Sequence, residues 1–258
     1  MVLSAAQKSL RVNLNSNIYG SFAEIGAGQE TVRQFFRAGG ASGTIAKAMS
    51  AYDKDFSDAI YGLEDDGRYV TESRLRKMIH HEYDLLEDRL HREKYPNKRY
   101  FAFANTVATI NFTKTFKGHG WIGIRYQTSA KKLPNEVILH VRLHENDPKH
   151  QQETIGNIGV NLIYGANFLF EDPKELLHSL YDGIDKSAVE IDLINFSGPD
   201  FIEVDNRVMS LQLMKNVFTD AVIFGPEGEN LLPAELLYKK NVLAMRGSFR
   251  PVTKVNMD

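Results

Sequence analysis

The chain of 258 residues contains no cysteine, which excludes disulfide bonds, zinc–thiolate sites, iron–sulfur clusters and a thiol nucleophile. It also contains no uninterrupted apolar run of about 18 residues, the length that a membrane-spanning helix needs. Residues 1–14 lack the basic segment and the apolar run of a secretory signal. We therefore expect a soluble, cytoplasmic protein without a membrane partner.

An excess of charge of either sign is missing as well. The formal net charge is −2 at pH 7, so no strong field attracts nucleic acid, and we expect no nucleic-acid partner. Hydrophobic residues make up 43% of the chain and charged residues 25%, which is typical of a globular protein with a sizeable core. No internal repeat or low-complexity linker divides the chain.

The first 95 residues have mainly helical patterns. Segments 30–38 and 44–52 predict short helices on either side of a glycine-rich stretch. Thr71 is a typical N-cap for a longer helix that reaches about Arg92 and ends before Pro96.

The middle of the chain predicts an antiparallel meander of three strands. Segments 99–112, 121–127 and 136–144 are rich in aromatic and β-branched residues and are separated by glycine or proline. Asp147 followed by Pro148 then favours a helix to about residue 168, because aspartate caps a helix and proline suits its first position.

From residue 172 onward, helical and strand patterns alternate, which favours parallel strands joined by crossovers. The helical segments are 173–181, 206–218 and 233–238, and the strand segments are 189–196, 221–224 and 242–245. The predicted fold class is mixed α/β, with a helical N-terminal part, an antiparallel β-meander and then helix–strand units with parallel strands. The predicted divisions are a helical part (1–95), a mixed α/β core (96–246) and a terminal segment (247–258).

The terminal segment carries a motif, Gly-Ser-Phe-x-Pro-x-Thr, directly after the apolar segment 242–245. Its residues are Gly247, Ser248, Phe249, Pro251 and Thr253. The motif resembles the opening of the nucleotidyltransferase superfamily, which includes nicotinate-nucleotide and phosphopantetheine adenylyltransferases. That resemblance implies a glycine turn that approaches phosphate, and an imidazole that stabilises charge during transfer.

The chain departs from that motif in two ways. Asn256 stands where the superfamily has its histidine, so the role of the imidazole does not carry over. A nucleotidyltransferase domain would also continue far beyond Asp258, so we do not expect adenylyl transfer by these 258 residues alone. Either the chain is the front portion of a longer protein, or the motif matches by accident.

Most of the chain also resembles a bacterial family of roughly double length. The similar segments are 18–30, 41–47, 57–62, 159–165 and 205–211. Members of that family carry two different names, nicotinate-nucleotide adenylyltransferase and TonB-dependent receptor, and the chain has no export signal to fit the second. This resemblance implies that the 258 residues are the N-terminal portion of a longer protein.

A glycine-rich loop is the first candidate binding site. Its candidate contacts are Gly39, Gly40, Ser42, Gly43, Thr44 and Lys47. Free backbone N–H groups, two hydroxyls and the start of a predicted helix would meet there around an anion, with the lysine one turn into the helix. The alternative is a tight corner between two helices, in which the glycines only meet backbone demands.

The third predicted strand supplies a second candidate. Strict alternation places His140, Arg142 and His144 on one face, and Arg125 of the neighbouring strand could join them. Such a cationic face would suit a phosphate or carboxylate ligand. The alternative is a solvated polar face.

Asp205 and Arg207, at the start of a predicted helix, form a third candidate, and the alternative for Asp205 is an ordinary N-cap. The sequence identifies no catalytic residue, metal site or cofactor. We expect a nucleotide- or phosphometabolite-binding protein that forms a homo-oligomer, with a small phosphorylated ligand or nucleotide as partner. The alternative is a non-catalytic domain for self-association or regulation, with the small residues of the 148–168 helix at its interface.

Overall fold

The structure is a computed structural model that describes residues 2–65, 67–237, 239–244 and 247. The helices are α1 (Ala5–Asn13), α2 (Glu30–Ala38), α3 (Lys54–Tyr61), α4 (Glu72–Arg89), α5 (Pro148–Phe168), α6 (Pro173–Ser179), α7 (Asn206–Lys215) and α8 (Pro233–Leu236). The strands are β1 (Ile18–Ile25), β2 (Ile45–Met49), β3 (Arg99–Ala108), β4 (His119–Tyr126), β5 (Asn135–Leu143), β6 (Val189–Ser197), β7 (Ile223–Phe224) and β8 (Asn230–Leu231). No helix in these described ranges is long and apolar enough to cross a lipid bilayer.

Six strands form one mixed sheet in the order β2-β1-β3-β4-β5-β6. β1 pairs in parallel with both β2 and β3, whereas β3, β4, β5 and β6 pair with one another in antiparallel fashion. The carboxyl ends of β1, β2 and β3 therefore meet at one edge of the sheet, where β4 begins, β5 ends and β6 begins. We call this edge the carboxyl edge.

Each face of the sheet is covered by helices. α1, α2, α5, α6 and α7 cover one face, over a core that includes Phe22, Phe103, Ile124 and Leu139. On the opposite face α4 lies across β1, β3 and β4, and its buried Leu75, Met78 and Ile79 contact the sheet. The small hairpin of β7 and β8, together with Leu232, approaches the β6 side of that opposite face.

The mixed α/β class and the antiparallel meander of β3, β4 and β5 are confirmed. Helix α2 has the predicted bounds, and α4 starts after Thr71, whose side chain accepts a hydrogen bond from the Arg74 N–H. Helix α5 starts after Asp147, whose carboxylate accepts from the Lys149 N–H. These capping residues predict the helix starts correctly, because each capping side chain satisfies backbone groups that the first helical turn leaves unpaired.

Two predictions about the N-terminal part are wrong. Segment 44–52 contains strand β2 rather than a helix, and strand β1 was not predicted. β1 is buried on both faces, so its sequence lacks the alternation of polar and apolar residues that marks a half-exposed strand. Pairing in the sheet decided the conformation of both segments, and their local sequence did not.

The predicted direction of the later strands is also wrong. β6 runs antiparallel to β5, because α6 and the residues after it bring the chain back to the end of the sheet where β5 stops. The backbone N–H of His144 there donates to the carbonyl of Ala188 at 2.9 Å. Segment 242–244 forms no strand, and Leu243 is 94% exposed, so the described residues include no buried strand before the terminal motif.

The small residues of α5 are packed inside the chain. A side chain added at Gly156 would meet Glu30 of α2, and one added at Gly159 would meet Thr31 of α2 and Phe103 of β3. Gly165 lies in the same way against Leu176 of α6. The predicted use of this face as an interface is therefore wrong, because neighbouring elements of the same chain already occupy it.

Candidate functional site

A cavity of about 970 Å³ opens at the carboxyl edge, on the sheet face that α4 only partly covers. Its floor is formed by the first residues of β4 and the last residues of β5, and its walls by the loops before α4, between β3 and β4, and around α8. Loops at the carboxyl ends of parallel strands are where open α/β sheets usually hold their ligands. The volume falls in the range of small-molecule sites.

One wall of the cavity is aromatic and apolar. Trp121, the single tryptophan of the chain, lines it together with Tyr69, Phe116 and Leu232. Trp121 is 1% exposed, and its indole Nε1–H is buried with no hydrogen-bond partner in the described ranges. A buried donor left unpaired costs free energy, so an acceptor atom that reached this N–H would be stabilised there.

The rim carries more positive than negative charge. Arg68, Lys117 and Arg142 line the cavity, and Glu235 is the carboxylate among its lining residues. Arg142 reaches the rim from β5, and its Nη1 donates to Oε2 of Glu190 on β6 at 3.1 Å. Lys117 is exposed on the loop between β3 and β4. This distribution of charge favours an anionic ligand.

Two histidines and an aspartate form a hydrogen-bonded chain beneath the cavity. Nδ1 of His119 lies 3.1 Å from Nε2 of His140, and Nδ1 of His140 lies 2.6 Å from Oδ1 of Asp192. His140 and Asp192 are buried, and both histidines line the cavity. The ring of Trp121 packs edge-on against His140, with the two centroids 4.9 Å apart.

A β-bulge aims Asp192 at His140. In the pairing of β5 with β6, His140 lies opposite Leu193 and Val141 lies opposite Ile191, so Asp192 is the extra residue. A bulge of this kind re-aims a side chain, and here Asp192 and Leu193 share the sheet face that holds the cavity. Asp192 thus contacts His140 although no residue of β5 pairs with it.

Burial dominates the titration of His119. Together with the neighbouring His140 it lowers the pKa of this imidazole to about 4, whereas the carboxylate of Asp192 acts in the opposite direction. Arg68 and Arg142 also disfavour the charged ring. His119 is therefore neutral at pH 7, with a ring nitrogen available as a proton or hydrogen-bond acceptor.

The predicted cationic face of β5 is assembled in part. His140 and Arg142 both line the cavity, and Nε2 of His144 lies 3.5 Å from Oε2 of Glu190, the carboxylate that also binds Arg142. Arg125 does not join them. It stands six residues from His119 along β4, about 20 Å away.

Arg125 belongs to an ion cluster at the opposite edge of the sheet. Its guanidinium pairs with Glu136, which also binds Arg76 at 2.9 Å and His80 at 2.7 Å. The antiparallel register places Arg125 opposite Glu136 and places His119 opposite Arg142. Alternation within β5 could not reveal this register.

The structure does not bring the groups of the glycine-rich loop together. Gly39, Gly40, Ser42 and Gly43 form an exposed turn that leads into β2, so no helix begins at Thr44. The Thr44 hydroxyl donates to the carbonyl of Asn13 at 3.0 Å.

Lys47 is also engaged elsewhere. Its ammonium lies 2.6 Å from a carboxylate oxygen of Glu82, a residue of α4 that is fully buried. Without a helix start, and with the lysine paired, the loop lacks the convergence of donors that the prediction needed.

Asp205 is the N-cap of α7, and its carboxylate accepts from the Arg207 backbone N–H at 2.9 Å. The Arg207 guanidinium donates to the same carboxylate, which lowers the pKa of Asp205 to about 2. Both residues are exposed and bind each other. Of the terminal motif, Gly247 is described, whereas Ser248, Phe249, Pro251, Thr253 and Asn256 lie outside the described residues.

The candidates predicted from the sequence do not include four residues that complete the site: Trp121, His119, Asp192 and Lys117. One signal was available for Asp192, which is a carboxylate next to the apolar residues Ile191, Leu193 and Ile194. Alternation along β4 also places His119 and Trp121 on one face. Neither signal could show that these faces adjoin His140.

Comparisons with known proteins add no family. No protein-family profile and no curated protein matches the sequence. A competence-damaged protein (CinA) superfamily protein from Enterobacter cloacae matches in structure with a TM-score of 0.44 and 10% identity, over 64% of this chain and 92% of that chain. The competence/damage inducible protein CihA from Agrobacterium tumefaciens matches with a TM-score of 0.40 and 15% identity, over 64% and 94%.

A further similar structure is the CinA superfamily protein of Klebsiella pneumoniae 700603, with a TM-score of 0.44 and 10% identity over 67% of this chain and 96% of that chain. At these values the similarity assigns neither a family nor an activity.

Proposed function

We propose that this protein binds a small anionic ligand with a planar ring, of the nucleotide or phosphorylated-metabolite class, in the cavity at the carboxyl edge. The observation that carries the proposal is that Trp121 and the rim cations Arg68, Lys117 and Arg142 line one cavity. The exposed ring of Phe116 on the same wall offers a stacking surface to a base, and the rim offers charge-assisted hydrogen bonds to a phosphate.

The polar interior of the cavity supports the same ligand class. The unpartnered Nε1–H of Trp121 can donate to a ligand oxygen or ring nitrogen. Neutral His119 offers a ring nitrogen that accepts a hydrogen bond without adding a second buried charge. A ligand with both donors and acceptors beside its ring therefore fits better than inorganic phosphate.

A thermal-shift panel tests this proposal. Nucleoside monophosphates, nucleoside diphosphates, sugar phosphates and inorganic phosphate are added to the full chain, because a ligand that binds only the folded state raises the melting temperature by mass action. We expect a nucleotide to produce the largest shift. If no compound of the panel shifts the melting temperature, the proposal is contradicted.

Arg142→Gln provides the matched variant. It removes the rim guanidinium at similar size, and we expect it to weaken binding about tenfold or more, since hydrogen bonds to charged groups contribute about 1.5–3 kcal/mol. Arg33→Gln is the control, because Arg33 pairs with Glu30 at 3.0 Å much as Arg142 pairs with Glu190, but lies on α2, on the other side of the sheet. An equal loss of affinity in both variants would show that Arg142 does not contact the ligand.

A further inference from the structure

The hydrogen-bonded chain of Asp192, His140 and His119 leads from the core to the cavity without interruption. Its inner members are almost fully buried, with exposed fractions of 4% for Asp192 and 1% for His140. His119 is partly exposed where it lines the cavity. In the described ranges Nε2 of His119 makes no hydrogen bond, so this atom is the outer end of the chain.

The carboxylate at the inner end fixes where the ring protons lie. An ionised Asp192 accepts a hydrogen bond from the Nδ1–H of His140, which leaves Nε2 of a neutral His140 with a lone pair. That lone pair accepts the Nδ1–H of His119, since one of the two facing nitrogens must donate. Nε2 of His119 is then unprotonated and carries a lone pair at the cavity.

We infer that His119 is the proton acceptor toward the ligand of this cavity, with His140 and Asp192 as positioning residues. This inference rests on the proposed binding function and adds acid–base chemistry to it. The proton comes from an O–H or N–H group of the ligand or from a water molecule beside the ligand.

The proton transfer through the hydrogen-bonded residues His119, His140 and Asp192 is balanced. The O–H or N–H bond of the donor breaks and its electron pair stays on the donor, while the proton bonds to Nε2 of His119. The Nδ1 proton of His119 then moves to Nε2 of His140, and the positive charge comes to rest on His140 beside the carboxylate of Asp192. No oxidant or reductant is needed.

The groups around His119 keep its ring unprotonated at neutral pH. Burial, His140, Arg68 and Arg142 disfavour its charged form, and Asp192 favours it. Lys117 and Glu235 also line the cavity, and Glu190 is held by Arg142. His119 is thus unprotonated across the physiological range, and His140 offers the charge a place next to a carboxylate.

Nitrogen NMR of the imidazole rings tests this arrangement in the unliganded full chain at pH 7. We expect protons on Nδ1 of both His140 and His119 and none on Nε2 of either ring. In Asp192→Asn the amide can donate to Nδ1 of His140, so both rings should reverse and carry their protons on Nε2. A wild-type His119 protonated on Nε2 would overturn the inference.

Asp200→Asn is the matched control for that variant. Asp200 is also a partly buried carboxylate, and it accepts hydrogen bonds from Thr128, Lys132 and Asn135. It lies at the opposite edge of the sheet from the two histidines. We expect the two histidine rings to keep their wild-type protons in this variant. If the ring protons changed position in Asp200→Asn as well, the two rings would be responding to a general destabilisation of the fold, and the inference would be overturned.

Acylation of histidine by diethyl pyrocarbonate gives a second readout, because only the unprotonated ring reacts. An imidazole with the ordinary pKa of about 6.5 reacts about 25-fold more slowly at pH 5 than at pH 7. We expect His119 to slow less than about twofold, and the exposed His91 and His150 serve as internal references. If the acylation rate of His119 fell between pH 7 and pH 5 by the same factor as the rates of the two references, the inference would be overturned.

Neither measurement needs a ligand. A panel without thermal shifts therefore contradicts the proposed binding function and leaves the ring protons measurable. Ring protons that differ from those expected contradict the acceptor role, while ligand binding is judged separately by its own titration.

Discussion

Oδ1 of Asp192 lies 2.6 Å from Nδ1 of His140, and both side chains are buried at the floor of the cavity. The contact exists because β6 bulges at Asp192, which turns the carboxylate toward a ring on the neighbouring strand. It joins the core of the sheet to the candidate site, so it has consequences for stability as well as for chemistry.

Asp192→Ala should destabilise the fold. The substitution leaves the buried Nδ1–H of His140 without its acceptor, and an unsatisfied buried polar group costs about 1–3 kcal/mol. Chemical denaturation followed by circular dichroism measures the change. Asp84→Ala, an exposed position on α4, should stay within about 0.5 kcal/mol of wild type. Equal stabilities of the two variants would contradict the buried contact.

His119 should make stability depend on pH in acid. Its folded-state pKa of about 4 lies below the unfolded value near 6.5, so the unfolded chain binds a proton first as the pH falls. The stability that neutral His119 contributes is therefore full above about pH 6.5 and is lost as the pH falls toward about 4. The melting temperature of His119→Gln should decline less than that of wild type over this interval. Parallel curves would contradict the lowered pKa.

Lys47 should prove to be a structural residue. Lys47→Met leaves the fully buried Glu82 without its cation, and we expect a loss of about 2 kcal/mol, less than for a wholly buried pair because Lys47 is partly exposed. Adding Glu82→Gln should recover part of the loss, because the buried charge is then gone. Nucleotide binding by the folded single variant should equal that of wild type. Selective loss of binding would restore the lysine as a ligand contact.

Gly159→Ala should destabilise the packing of α5 on α2. The added methyl group would overlap Thr31 and Phe103, and forcing an extra group into a packed core costs about 1–3 kcal/mol. Gly43→Ala is the control, because no atom lies within 4 Å of its added methyl group. Urea titrations of the two variants measure the difference. A stable Gly159→Ala would mean that α5 and α2 are less closely packed than described.

The parts of the fold that the sequence predicted are those set by neighbours in the chain. Thr71 and Asp147 correctly predict the starts of α4 and α5, because a capping side chain acts within one helical turn. β1 could not be found in the same way, since it is covered on both faces and carries no alternation. Strand β2 is likewise formed by its pairing with β1.

The candidate site was half predictable for a similar reason. Alternation singled out His140 and Arg142 on one face of β5, which is a local property of a strand. The register then decided their neighbours: His119 lies opposite Arg142, whereas Arg125 lies opposite Glu136 at the far end. Asp192 depends on a bulge in β6, and neither the register nor the bulge can be read from one strand alone.

The fluorescence of Trp121 tests the central claim most directly, because it is the single tryptophan of the chain and lines the proposed site. In a titration with adenosine 5′-monophosphate, we expect saturable quenching of the Trp121 emission. Arg142→Gln should lower the affinity measured in this way about tenfold, and Arg33→Gln should leave the affinity unchanged. Ribose 5-phosphate should bind more weakly, because it lacks the ring that stacks on the aromatic wall. A nucleotide that stabilises the protein against heat while the emission of Trp121 stays constant would contradict binding in this cavity.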